Sequence, residues 1–334
     1  MHIAVAHTSS PYVTAYPYAA GFGTKVADPA SLPNSHGQGL AFSPDGADVA
    51  IAHSVTPYMS VYPWSDSGFG TKHSAPATVL AGNGQGVAFS PDGADIAFAH
   101  VSSPYISAYP WSSGFGTKRS DPSTGPGGNG SDVAFSPDGA DILLGDSGTD
   151  RVHAWPWSSG FGTIRSSPST LPQGSGQGVA FSPDGADVVV ANYITPYTTA
   201  YPWSSGFGTK RSNPSTLPTG IGRDVGFSPD GADVAIAHTT TPYVSAYPWS
   251  SGFGTKRSNP STLPAGDAYD VDFAPDGSDV AVAHASSPYV SAYPWSSGFG
   301  TKRSNPSTLP ASVGAQVKFL ASPVNASPAA LLML

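Results

Sequence analysis

The chain has 334 residues, a formal net charge of −8 and only 11% charged residues, with no basic stripe for holding a nucleic acid. It has no Cys, which removes disulfides and thiolate metal sites, and all 22 of its acids are Asp. With no Glu and 3 Met against 39 Gly and 34 Pro, helix formers are scarce and turn formers abundant, so the expected class is all-β.

The first residues, MHIAVAHTSS, have neither the basic start nor the apolar centre of a secretory signal, and none is expected. No apolar run reaches the ~20 residues that cross a bilayer, so no membrane span is expected. HIAVAH reads as a buried strand, and PYVTAYPY after it as an alternating one. FSPDG then begins at Phe42 and returns at Phe89, Phe135, Phe181 and Phe227, with FAPDG at Phe273 and a worn FLASP at Phe319. The first step is 47 residues and every later one is 46, which is the period of a repeat architecture.

Residues 223–268 show one unit. RDVGFSP is a short apolar strand, and Pro229-Asp230-Gly231 is a tight turn in which Pro presets φ and Gly accepts a positive one. ADVAIAH is a second strand, PYVSAYPW a third and GFGTKRS a more polar fourth. Four antiparallel strands per unit, seven times, predict a seven-bladed β-propeller. The chain begins on a second strand, so residues 2–25 and roughly 314–320 are expected to share one blade and close the ring, leaving no free edge. The expected organisation is a single propeller over residues 1–320. The apolar segment 321–334, ending in ASPAALLML, is then left over as a candidate attachment element.

FSPDGADVAIAH resembles the first hairpin of WD-repeat-like blades. VVVANYITPYTTAY from Val188 is similar to the YVTN-type blade, and LLGDSGTDRVHAW from Leu143 to the core of a WD repeat. The repeated YPWSSGFGTK with FSPDGAD also resembles uncharacterised phage-encoded propeller proteins. This likeness implies fold over nearly the whole chain, and propellers host scaffolds, lectins and enzymes alike.

Four sets of residues are candidates for function. His7, His53, His100, Asp146, Asn192, His238 and His284 end the second strands. Spread around a seven-fold ring they are too far apart to share an ion, whose nitrogen ligands lie at ~2.1 Å. They are expected to cap turns, and no metal or cofactor is expected. Trp64, Trp111, Trp157, Trp203, Trp249 and Trp295, with Tyr18 in the first blade, recur near loops of the opposite face. Such aromatics either seal hairpins or offer a sugar platform, and packing is the favoured reading. Asp45 and Asp48, repeated in every SPDGAD, supply too few oxygens for calcium; the first reads as a turn former and the second as solvent-exposed.

Blade four alone carries Asp150 and Arg151 in place of Pro-Tyr, with Trp155 in place of Tyr, which makes this pair a candidate partner contact. The last set breaks the symmetry where inner strands begin. Asp132, Asp224 with Arg223, and Asp270 flanked by Asp267 and Asp272 stand where other units have Gly39, Gly86, Gly178 and Gln316. They could gather at the channel mouth, where lactonase-type propellers hold a divalent cation. The absence of Glu and the placing of the acids on alternate blades depart from that pattern.

The near-identity of the units favours a non-catalytic, rigid display or assembly module, not an enzyme, in a virion or other extracellular assembly. Its expected partners are other protein subunits or surface glycans, with self-association through the C-terminal segment. A multivalent lectin is the alternative, and a channel-mouth lactonase or other hydrolase the third reading.

Overall fold

Every second strand is buried along its whole length, and the structure shows why. Asp233–His238 lies between Gly222–Phe227 and Val244–Pro248 in one sheet, and neighbouring sheets cover both of its faces, so all six of its residues are buried. A strand covered on both sides has no solvent face to alternate with. The same arrangement occurs seven times in the computed structural model, which describes residues 1–320, and it makes a seven-bladed β-propeller.

Blade one, counting the N-terminal hairpin first, closes the ring. His2–His7 pairs on one side with Val13–Pro17 and on the other with Gly314–Leu320, in the register Ile3 to Phe319 and Val5 to Val317. The expected closure is therefore present. The expected attachment element, 321–334, lies outside the described residues.

The four-stranded blade is corrected to three strands plus a remnant. Among the described residues only blade two keeps a short fourth strand, Gly68–Phe69. Elsewhere the fourth segment touches the third at one bridge, such as Trp249 to Phe253. It adds isolated backbone bonds, with Gly254 N donating to Pro248 O at 2.8 Å and Arg257 N to Ala246 O at 2.8 Å. Pro248 has no amide to give, and Gly252 at φ 150° bends the chain away.

The SPDGAD turn is a small hydrogen-bonded knot. Asp230 Oδ1 accepts from Ser228 Oγ at 2.6 Å and from Ala232 N at 3.0 Å, while Gly231 takes φ 70°. The second Asp, expected from the sequence to be solvent-exposed, is instead buried. Asp233 is buried and pairs with Arg257 of its own blade at 2.7 Å. Asp95, Asp141, Asp187 and Asp279 do the same with Arg119, Arg165, Arg211 and Arg303, and Asp48 with His73. In two places the Trp of the next blade adds a bond across the seam, Trp111 Nε1 to Asp48 at 3.1 Å and Trp249 Nε1 to Asp187 at 3.3 Å.

The Trp ring is therefore packing. Trp249 is 8% exposed and wedged edge-on between Phe227 and Phe253, at 5.3 and 5.0 Å between ring centres. Trp64, Trp111, Trp157, Trp203 and Trp295 are as deeply buried, and Tyr18 fills the same place against Phe22 and Phe319. A sugar needs an open aromatic face, and these faces are covered.

Candidate active site

The seven inner strands line a central channel. Three columns along them differ from blade to blade, and they decide what the channel can do. The first column, at the upper mouth, reads Gln38, Gln85, Ser131, Gln177, Arg223, Tyr269 and Ala315. The second reads Gly39, Gly86, Asp132, Gly178, Asp224, Asp270 and Gln316. The third, two residues below the second, reads Ala41, Ala88, Ala134, Ala180, Gly226, Asp272 and Lys318.

Each acid is fixed by the strand next to it. Asp132 Oδ2 accepts from Val179 N at 3.0 Å, Asp224 Oδ2 from Val271 N at 3.3 Å and Asp270 Oδ2 from Val317 N at 2.9 Å. Gln316 closes the circle by accepting from Leu40 N. Asp272 takes Phe319 N at 2.7 Å. The inner edge of a propeller has no further strand to pair with, so these carboxylates satisfy amides that would otherwise face the channel.

Glycine in the second column makes room for the acids. A Cβ on Gly86 would lie 2.8 Å from both Cα and Oδ1 of Asp132, and one on Gly178 would lie 2.5 Å from Asp224 Oδ1. Gly86 and Gly178 thus leave room for Asp132 and Asp224, while Asp224 and Asp270 stand on adjacent blades, so the acids are not confined to alternate blades. Gly86→Ala is expected to lose ~1–3 kcal/mol through overpacking; an unchanged melting temperature would show that Asp132 can move aside freely.

Blade seven aims two acids at one cation. Lys318 Nζ stands 3.4 Å from Asp270 Oδ1 and 3.7 Å from Asp272 Oδ1. Asp270 is 2% exposed, whereas Asp272 and Lys318 at 24% and 27% still meet channel water. Burial raises the Asp132 and Asp272 carboxyls to about 6, with Lys318 pulling each the other way. Asp224 goes well above its ordinary value through burial and the charge of Asp270 beside it. Burial alone would depress Lys318, but the carboxylates of Asp270, Asp272, Asp224 and Asp132 outweigh it and hold the ammonium well above its usual range.

Lys318 escaped the sequence reading, which aligned AQVKFLA as an inner strand without asking what sits at its fourth position. Comparison with Ala41, Ala88, Ala134, Ala180 and Gly226 would have found it. Asp267, grouped with the cluster on sequence, stands outside it: it precedes the inner strand and gives its carbonyl to Ala285 N at 2.9 Å. Arg223 stays at the mouth, bonded to Gln177 Oε1 at 3.2 Å and lying 5.6 Å over the Tyr269 ring.

The other sets resolve as structure. His7, His53, His100, His238 and His284 are fully buried, and each ring Nε2 bonds a hydroxyl on the third strand, as His238 does with Ser245 at 3.0 Å. Asp146 bonds His153 at 2.6 Å, and Asn192 accepts from Thr199 at 3.0 Å in the same place. Asp150 accepts from Ser167 Oγ at 2.6 Å, and Arg151 reaches Pro172 O at 3.3 Å, so both are engaged locally.

The channel residues do not fit the divalent cation of lactonase-type propellers. Among the described residues no three Asp or His side chains converge as metal ligands, and an ammonium already stands among the carboxylates. Below the cluster the cavity, about 480 Å³, is walled by a ring of Phe, among them Phe135 and Phe273.

No protein-family model matches the chain, and no curated protein sequence is similar to it. Solved structures share its fold. A protein from Bacteroides fragilis, provisionally named a 6-phosphogluconolactonase, superposes with a TM-score of 0.77 at 16% identity over 96% of this chain and 98% of that one. A counterpart from Bacteroides uniformis, provisionally named likewise, gives 0.70 at 17% over 96% and 99%. The periplasmic gluconolactonase of Pseudomonas aeruginosa gives 0.71 at 16% over 96% and 99%. The propeller resemblance read from sequence stands, while its WD-repeat and phage features find no support in these structures. The display module and the expectation of no enzyme are corrected, because the neighbours carry lactonase names and the asymmetric cluster lies inside the channel.

Proposed function

We propose that the chain is a lactonase-like hydrolase whose site is the acid and lysine cluster of the central channel. One observation carries the reading. In a ring of near-copies, Asp132, Asp224, Asp272 and Lys318 are departures that line one cavity of ligand size, with Asp270 paired to the same lysine at 3.4 Å. The lactonase names of the fold neighbours support it and suggest the substrate class, a sugar δ-lactone.

The chemistry follows from the two partly wet groups. Asp272, with its carboxyl at about 6, is a base poised near neutral pH. It takes a proton from water as the water oxygen bonds to the lactone carbonyl carbon. The carbonyl electron pair moves to oxygen, and the resulting oxyanion is stabilised by the ammonium of Lys318. When the oxyanion collapses, the ring C–O bond breaks and the leaving alkoxide takes the proton from Asp272. Water and lactone have become a hydroxy acid, and the site is restored.

A pH-stat assay with glucono- and 6-phosphoglucono-δ-lactone, corrected for spontaneous opening, tests the reading. The rate is expected to rise with pH through about 6 as Asp272 ionises. No rate above the spontaneous one with either lactone would refute it.

A further inference from the structure

We propose that Lys318 is the resident cation of the channel, standing in for the divalent ion that a lactonase-type propeller would place among its carboxylates. The inference uses the hydrolase reading only for what the charge does; the arrangement of charge stands on geometry.

Third-column positions elsewhere are Ala or Gly, so five blades leave open space at this depth. Blade one fills it with Lys318, the one cationic side chain of the third column. Two carboxyls of blade seven lie within 3.4 and 3.7 Å of its Nζ. Each of those carboxyls also grips the lysine's own strand, through Val317 N and Phe319 N, so the strand that delivers the charge is clamped on both sides of it. Asp224 from blade six and Asp132 from blade four act on the same ammonium. Blades two, three and five bring no titratable group to these columns. Arg223 and Tyr269 face the mouth, where Gln177 and the Tyr ring engage the guanidinium.

A lysine carries one positive charge where a divalent ion carries two. Burial first, and then the charge of Asp270 beside it, raises Asp224 well above an ordinary carboxyl, so proton uptake there relieves part of the surplus negative charge. Removing the lysine should push the acids further the same way. A group raised in the folded state stabilises below its unfolded value and loses that contribution as pH rises.

The test follows thermal unfolding of the native chain, Lys318→Met and Lys318→Arg across roughly pH 5 to 8. Each is run with and without millimolar calcium, magnesium or manganese, beside calorimetric titration of the same ions. The native chain should show no saturable binding and no cation-dependent melting temperature. Lys318→Met should lose stability progressively with rising pH, releasing about one more proton per chain on unfolding than the native protein. Lys318→Arg should restore the native profile. Saturable binding of one divalent ion to the native chain, abolished by Asp270→Asn with Asp272→Asn, would overturn the proposal, as would a Lys318→Met profile equal to the native one. If Lys318→Met does not fold, the native chain decides: in a spectrum of reductively methylated lysines, the Lys318 signal should stay unshifted where surface lysines titrate. Titration alongside them would overturn the proposal. Neither readout uses hydrolysis, so a failure here is distinct from a failure of the proposed activity.

Discussion

Deleting residues 1–25 is expected to abolish the folded ring. The deletion removes the middle and third strands of blade one and leaves Gly314–Leu320 without a partner. It also takes out Ile3, Val5, Val13, Tyr16 and Tyr18, all buried in the seams with blades two and seven. At ~1.5–3 kcal/mol for each large apolar side chain, the loss is on the order of 10 kcal/mol, comparable to the whole stability of a domain. Two exposed strand edges would then face water and favour aggregation. The truncated chain should be insoluble or lack a cooperative melt. A soluble monomer with the native melting temperature would show that the pairing of His2–His7 with Gly314–Leu320 does not close the ring.

Acid should unfold the protein through its buried histidines. His7, His53, His100, His238 and His284 are each pushed down to about 4 by burial, with a nearby backbone carbonyl opposing. A histidine depressed in the folded state gives stability that is present above its unfolded value of 6.5 and is lost as pH falls toward 4. At about pH 5 each costs ~2 kcal/mol, so five cost on the order of 10. Asp132 and Asp272 act in the opposite sense, since their raised values restore stability as pH falls below about 6, and Asp224, raised well above its ordinary value, acts in that sense too. Three acids return only several kcal/mol, so the net expectation is a melting temperature that falls steeply below about pH 6. Replacing His238 and His284 by Asn isolates the cause. Asn192 already fills the equivalent place in blade five with a side-chain bond to Thr199, so at neutral pH the double variant should lie within ~1 kcal/mol per site of the native chain. At about pH 5 it should be more stable than native by ~4 kcal/mol. Parallel pH profiles for the two proteins would remove the histidines from the account.

Much of the fold was legible because repetition multiplies weak signals. One SPDG turn is an ordinary hairpin cue, but five of them with one APDG and a worn seventh copy, at a near-fixed period, specify blades. The strand-late start at HIAVAH then specified the closure that Ile3 and Phe319 make. The fourth strand was overread because GFGTKRS has strand-like composition while its Gly and the Pro before it break the ladder. The buried Asp233 was misread because its partner, Arg257, lies 24 residues away in the fourth segment, and no local pattern joins them.

The site was half legible. Asp132, Asp224 and Asp270 were visible as breaks in a column, and Asp272 as a neighbour of one. Lys318 was hidden in the worn seventh copy, where variation reads as decay. Near-identity of blades also misled: repetition explains the Trp and His rings, which are packing and buried hydrogen bonding, and it drew attention from the few positions that do not repeat. In a closed ring those positions meet at the axis, which is where one site per molecule can form.

The most direct measurement is the rate of δ-lactone hydrolysis by Asp272→Asn against the native chain, with Asp184→Asn in an exposed turn as control. Asn keeps the size of Asp272 and removes its basicity. The account predicts a fall in kcat/KM of ~100-fold or more, with the control at the native rate and the melting temperature of Asp272→Asn near native. A folded Asp272→Asn protein that hydrolyses the lactone as fast as the native chain would contradict it.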